Sequence, residues 1–151
     1  MARVKLELPE KLGFSTDIEV HVGYINYGNH VGNDSMLTLI QEARMRFLKS
    51  MGYTELAIEG RGIVLADAAV QYKSEAFHGE VLTIDVGVAD FNKYGCDIFY
   101  RVYKKATADG PAREVAHAKT GIVFFDYSVR RPVEVPPAFL ARFPRAQHGA
   151  T

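Results

Sequence analysis

Between Tyr24 and Asp34 the chain reads YINYGNHVGND, a stretch whose side chains suit work on a carbonyl carbon and a water. His30 is the only loop side chain that exchanges protons near neutral pH, which makes it the natural base for a water. Its other use would be to bond the loop backbone and shape the helix start. Asn26 carries an amide that both donates and accepts, enough to orient a water or hold a carbonyl. It has no carboxylate with which to act as base or nucleophile, and a plain turn Asn would do neither job. Asn33 stands where a helix should begin, so its backbone N–H, with the positive end of the helix dipole behind it, is a ready oxyanion donor. Asn33 or Asp34 can also cap that helix. Asp34 either supplies a carboxylate to the site or is an ordinary first-turn acid, worth a few tenths to ~1 kcal/mol through the dipole.

Other polar residues are weaker candidates. Asp67 interrupts an apolar strand and must be paired, solvated or useful, because an uncompensated buried carboxylate is costly. Glu42 lies nearly opposite the apolar stripe of its helix and four residues before Arg46, the spacing of a solvent-facing ion pair. Arg44 falls nearer the apolar side, with a buried stem and its head expected on Gln41 or a neighbouring carbonyl. His117 and Lys119 share a strand face and can meet a phosphate. Arg130 and Arg131 suit the far end of an anionic carrier, although scattered surface basics are common. His21, His78 and His148 show no ligand spacing, so no zinc site is expected, and Cys96 reads as a strand thiol.

The elements that must position these groups can be read from periodicity. Residues 16–24 alternate, with Ile18, Val20 and Val22 on one side, which predicts a strand. From Asp34 to about Met51 there is no Gly or Pro, and Met36, Ile40, Ala43, Phe47 and Met51 recur at helical spacing, with Leu37, Leu39 and Leu48 widening the stripe. Gly52 ends this helix. One more helical turn is expected before Gly60 and Gly62. Four strand-like runs come next at 62–72, 80–91, 95–106 and 113–126, the last three an antiparallel meander. Alternation assigns Val64, Ala66, Ala68 and Val70 to the helix side, with Leu82, Ile84, Val86, Val88, Ile98, Tyr100, Val102, Ala116, Ala118, Ile122 and Phe124. The class is α+β, one domain over 1–151 with a core of about 16–126 and a sheet around a central helix. Residues 127–151 form a tail with at most a short helix near 137–143, carrying Arg130, Arg131, Arg142 and Arg145.

With 151 residues, 18 Lys plus Arg and 18 Asp plus Glu, the chain holds one core and no field that would draw it to nucleic acid or an anionic membrane. A single cysteine rules out an internal disulfide and fits a reducing compartment, so the cytoplasm is the expected location. No apolar run reaches the ~18 residues of a membrane span, and the first residues lack a signal-peptide h-region.

The loop and helix together, NYGNHVGNDSMLTLIQEARMRFL, resemble the signature of the 4-hydroxybenzoyl-CoA thioesterase-like hotdog superfamily. His30-Val31-Gly32-Asn33 matches its His-Val-Asn-Asn stretch, Glu42-Ala43-Arg44 its helix, Val70-Gln71-Tyr72 its strand end, and Ala76 and Gly79-Glu80 two later positions. Asn26 stands where that family usually has an Asp acting as nucleophile or general base, so another group must take over or the protein works differently. The resemblance implies a hotdog fold, a five-stranded antiparallel sheet around one long helix. It also implies a homodimer or dimer of dimers with joined sheets and sites at the interface, and an acyl-CoA or acyl carrier protein thioester as substrate. No cofactor is expected, coenzyme A being part of the substrate. Catalytic roles fall on Asn26, His30, Asn33 and Asp34, and substrate contacts on Tyr24, Asp67, Tyr72, Lys119 and Thr120. Two other functions remain open: a non-catalytic acyl-thioester-binding protein, given Asn26, and a dehydratase of hydroxyacyl thioesters using His30 with Asp34 or Asp67.

Overall fold

The computed structural model describes residues 2–144; Arg145 and His148 lie outside them. Its sheet runs in the order β1 (Phe14–Glu19), β3 (Val81–Ala89), β4 (Gly95–Lys104), β5 (Arg113–Asp126), β2 (Gly62–Tyr72), all antiparallel, and a sixth two-residue strand, β6 (Arg131–Pro132), pairs with the end of β5. Helix α1 (Asn33–Ser50) lies in the concavity of this sheet and buries Met36, Leu39, Ile40, Ala43, Phe47 and Leu48. These residues meet the inward side chains of the meander, of which Leu82, Ile84, Val86, Ile98, Tyr100, Val102, Ala116, Ala118 and Phe124 are all buried. Leu37 falls outside the stripe and is 43% exposed. Gly52 closes the helix at φ 84°, a left-handed conformation that glycine adopts without penalty.

Four expectations are corrected. The first strand ends at Glu19, paired with Val81. Val20 still pairs with the 79–80 turn, but Val22 enters a 3-10 turn (Val22–Tyr24) and is 76% exposed, because no neighbouring strand reaches that far. Gly32 caps α1, in extended backbone with Met36 N–H on its carbonyl, and neither Asn33 nor Asp34 does so. Residues 53–61 form two tight turns with bridges Thr54–Ala57 and Ile58–Arg61 in place of a helical turn. In β2 a bulge between Leu65 and Asp67 changes the alternation. Ile63 and Leu65 pair with Phe124 and Ile122 on the helix side, and Val64 and Asp67 pair with Val123 and Gly121 on the outer side. The assignments of Ala68 and Val70 stand.

The tail is more than an appendage. Pro137 starts α2 (Pro137–Leu140), and Phe139 is fully buried, its ring 5.2 Å from Phe124 and 5.0 Å from Phe143. Phe91 and Tyr53 complete this aromatic plug at the C-terminal end of α1. The opposite end of the helix is left to the Gly- and Asn-rich loop.

Candidate active site

Residues 25–32 fold back on themselves as a short bridged loop. Ile25 pairs with Val31, Asn26 N–H donates to His30 O (2.9 Å), and Gly32 N–H donates to Tyr24 O (3.0 Å). Asn26 Oδ1 accepts the Gly28 N–H at 2.9 Å, the self-bonding for which Asn is favoured in turns. Asn29 takes φ 66°. The loop is pinned from outside by Val31 N–H, which donates to Ala76 O at 2.8 Å. The family-like Ala76 thus acts through its carbonyl.

Within this frame the His30 ring has a defined orientation. Nδ1 lies 3.1 Å from Val31 O; a carbonyl oxygen only accepts, so this bond assigns the proton of the neutral ring to Nδ1 and leaves Nε2 as the basic nitrogen. A Cβ built on Gly28 would stand 3.1 Å from His30 Nε2 and 3.3 Å from Asn26 Oδ1. Both atoms thus lie against Gly28, where a side chain would crowd them. Glu75 Oε1 is 3.9 Å from Nε2. No sequence signal singles out Glu75, since it arrives through the β2–β3 connection that also brings Ala76.

The helix tip lies beside these side chains. A Cβ on Gly32 would be 2.7 Å from Asp34 Oδ1 and 3.3 Å from Asn26 Cβ. Of the first N–H groups of α1, Asp34's donates to Asn33 Oδ1 at 3.1 Å. Those of Asn33 and Ser35 have no intrahelical acceptor, as at any helix start. The tip is tied to β2 by Tyr72, whose hydroxyl donates to Asn33 O at 2.7 Å. Burial first, and then the Asp34 carboxylate, push the Tyr72 phenol above its ordinary value. Tyr24 joins the group through its carbonyl, while its ring lies 6.1 Å from that of His21.

Within one chain the structure thus brings together Asn26, His30, Asn33, Asp34 and Tyr72, with the Tyr24 carbonyl on Gly32 N–H, and places three other residues expected at the site elsewhere. Asp67 and Lys119 lie on the outer face of the sheet, 2.9 Å apart, and Lys119 also reaches Asp97 at 3.4 Å. The ammonium is held by two carboxylates, and Asp67 is kept ionised below its ordinary range chiefly by Lys119. Thr120 faces inward at 1% exposure, its hydroxyl 2.8 Å from Tyr100 OH. His117 is likewise engaged, 2.9 Å from Glu114. Arg44 bonds Glu55 (2.6 Å) and Tyr100 OH (3.2 Å) in place of Gln41. Glu42 and Arg46 form the exposed ion pair their spacing implies, at 3.2 Å. Cys96 is buried and its thiol is pushed up by burial. Among the described residues no cluster of His, Cys, Asp and Glu could hold a metal ion, and no helix is long and apolar enough to cross a membrane.

Over residues 20–143 the sequence matches the thioesterase-like superfamily, and the chain belongs to it. No curated protein sequence matches. Among solved structures it is similar to a thioesterase superfamily protein from Jannaschia (TM-score 0.77, 20% identity, 93% of this chain and 86% of that one). It is also similar to a 1,4-dihydroxy-2-naphthoyl-CoA thioesterase from Synechocystis (0.75, 17%, 89% and 98%). A third is an Asp-to-Asn mutant of 4-hydroxybenzoyl CoA thioesterase complexed with 4-hydroxybenzoyl CoA (0.74, 18%, 85% and 96%). At such identities the likeness is one of fold, and the fold is the hotdog.

Proposed function

We propose that the chain hydrolyses the thioester of an acyl-CoA or acyl carrier protein, with its sites completed in a homodimer. The placing of His30 and Asn26 in one short loop beside the tip of α1, with the Nδ1 bond to Val31 O leaving Nε2 as the basic nitrogen of the neutral ring, carries this reading. The thioester carbonyl accepts from the Asn33 backbone N–H, where the helix dipole stabilises the oxyanion. His30 Nε2 takes the proton of the attacking water, and the Asn26 amide orients it. The tetrahedral intermediate then expels the thiolate, which receives the proton back from His30.

The dimer reading rests on β2. It is the edge of the sheet, and Leu65, Ala66, Asp67, Ala68 and Tyr72 are all exposed along it, a long unpaired edge of the kind proteins cover. A twofold seam there runs antiparallel and sets the Gly62 end of one β2 beside the Tyr72 end of the other. Within one chain those ends are about 33 Å apart. Across the seam Arg130 and Arg131, which follow β5 past Phe125 opposite Gly62, come toward the second copy's helix tip, where they can meet a nucleotide phosphate.

The test is thiol release from a chain-length panel of acyl-CoAs by wild type, His30→Ala and Asn26→Ala. Loss of about a hundredfold or more in kcat for His30→Ala is expected of a general base, and full activity in both variants removes both residues from the mechanism. A second reading, acyl-thioester binding without turnover, is favoured by the Asn26 amide oxygen, which is already bonded within its own loop. In the same assay it would show binding with no thiol released.

A further inference from the structure

We propose that the N-terminal arm of each copy crosses the β2 seam and seats Arg3 and Val4 on the outer sheet face of the other copy. This rests on the dimer described above. The arm, residues 2–13, precedes the region that matches the superfamily.

Its path is fixed at two points. Leu12 lies on Gly87 in β3, where a Cβ would come 2.6 Å from Leu12 Cδ2 and 3.0 Å from its Cα. At the other end Gln71 Nε2, in β2, donates to the Val4 carbonyl at 2.7 Å. The arm therefore runs over the outer face from β3 to β2. Next to Gly87 on that face stands Phe99 of β4, only 6% exposed yet outside the main core cluster, as a residue roofed from the outer side would be. Leu6, Leu8 and Leu12 are half-buried between exposed Lys5, Glu7 and Lys11. Three strand spacings separate β3 from β2, about 14 Å, whereas the eight residue steps from Leu12 to Val4 extend to about 26 Å. The arm thus arrives at the free edge with chain to spare.

What it presents there is unpartnered. Val4 is 52% exposed, and Arg3 and Lys5 make no ion pair among the described residues. The outer face of β2 offers both complements: half-buried Val64, and Asp67, whose side chain is 59% exposed. Asp67 and Asp97 share the single ammonium of Lys119, so this patch keeps a net negative charge. Within one chain the arm meets β2 at Gln71, near its C-terminal end. The antiparallel seam brings the N-terminal half of the second β2, with its Val64, alongside that end, and sets Asp67, the middle residue of β2, at the centre of the seam. An apolar residue and a cation leaving one edge thus face an apolar residue and an anion on the other.

Sedimentation of the full chain over a dilution series tests this, with wild type, Arg3→Glu and Val4→Asp compared at low salt and at about 0.5 M NaCl, where exposed charges are screened. The expected result is a wild-type dimer whose dissociation constant rises about threefold to fivefold in Arg3→Glu and about tenfold in Val4→Asp. High salt should abolish the first difference and keep the second. Both positions are exposed, so Tm of the dissociated chains should be unchanged. A wild-type dimer whose dissociation constant neither substitution alters overturns the arm contact and leaves the seam intact. A wild-type monomer at every concentration overturns the seam and the arm contact together.

Discussion

Tyr72, the last residue of the edge strand, donates its hydroxyl to the carbonyl of Asn33, the first residue of α1, at 2.7 Å. One hydrogen bond thus ties the strand that would form the dimer seam to the helix tip proposed to hold the oxyanion. Tyr72→Phe removes it and little else. A loss of about 1 kcal/mol, or a Tm lower by about 2–4 °C for a chain of this size, is expected. With a looser tip, kcat for acyl-CoA hydrolysis should fall about tenfold while KM changes little, as for an interaction realised in the transition state. An unchanged kcat with the lowered Tm would make the bond purely structural.

The buried Arg44 gives a test with a built-in asymmetry. It is 3% exposed, and its charge is met by Glu55 at 2.6 Å and Tyr100 OH at 3.2 Å. Glu55 is about a third exposed, so it can be hydrated when its partner is lost. Arg44 cannot. Glu55→Ala should therefore be the more damaging, about 3–5 kcal/mol by urea unfolding, because it strands a buried guanidinium. Arg44→Met, which fills the space with an apolar chain, should cost clearly less. The opposite order would mean that Glu55 contributes little to holding this charge.

Helix α1 and the four strands after it were legible because each has a strong period and flanking glycines. Gly52, Gly62 and Gly95 mark boundaries that the structure keeps within a residue or two. The faces of β2 were not, since a bulge at Ala66 leaves no trace in an Ala-rich run where either register looks apolar. Of the site, the compact loop from Tyr24 to Asp34 could be read because Gly and Asn restrict it to tight turns. Glu75 could not, being sequence-distant and placed only by the Val31–Ala76 bond. Lys119 and Thr120 are adjacent in sequence, but strand alternation puts them on opposite faces, so one site could not use both. The arm was not read, since Leu6 and Leu8 alone make too short an alternation to mark a covered segment.

Two glycines separate space needed by the site from space needed by the fold. At Gly32 a methyl group would press on the Asp34 carboxylate at 2.7 Å, the movable end of a side chain. Gly32→Ala should fold with a stability loss under about 1 kcal/mol and displace Asp34. If that carboxylate serves the reaction, kcat drops; if it is only a first-turn acid, turnover holds. At Gly95 the methyl would be driven into the Ile122 carbonyl oxygen across the β4–β5 ladder, where backbone cannot yield. Gly95→Ala should cost more than about 3 kcal/mol, measured as a lowered urea midpoint. A near-normal midpoint would contradict the close approach of those strands.

Acid sensitivity should trace in part to the outer face. Arg101 holds both oxygens of Glu114 at 2.8 Å, and His117 adds a contact at 2.9 Å. Arg101 first, with His117 after it, keeps the Glu114 carboxyl below its ordinary 4.5, and the Arg101 guanidinium is raised in turn. Because the folded-state value is the lower one, folding favours the ionised form. The stabilisation is complete above pH 4.5 and is lost as pH falls through the folded value. The two side chains are 42% and 37% exposed, so water screens the pair and the effect should stay under about 1 kcal/mol. Glu114→Gln should lower Tm slightly at pH 7, and the gap should narrow as pH falls below 4.5. Asp97 has the opposite sign, since burial, its largest influence, raises its carboxyl despite Lys119. Its ionised form costs stability at neutral pH, and acidification relieves that cost. A Tm difference for Glu114→Gln that stayed constant from pH 7 to about pH 3 would mean the carboxylate charge is not what the substitution removes.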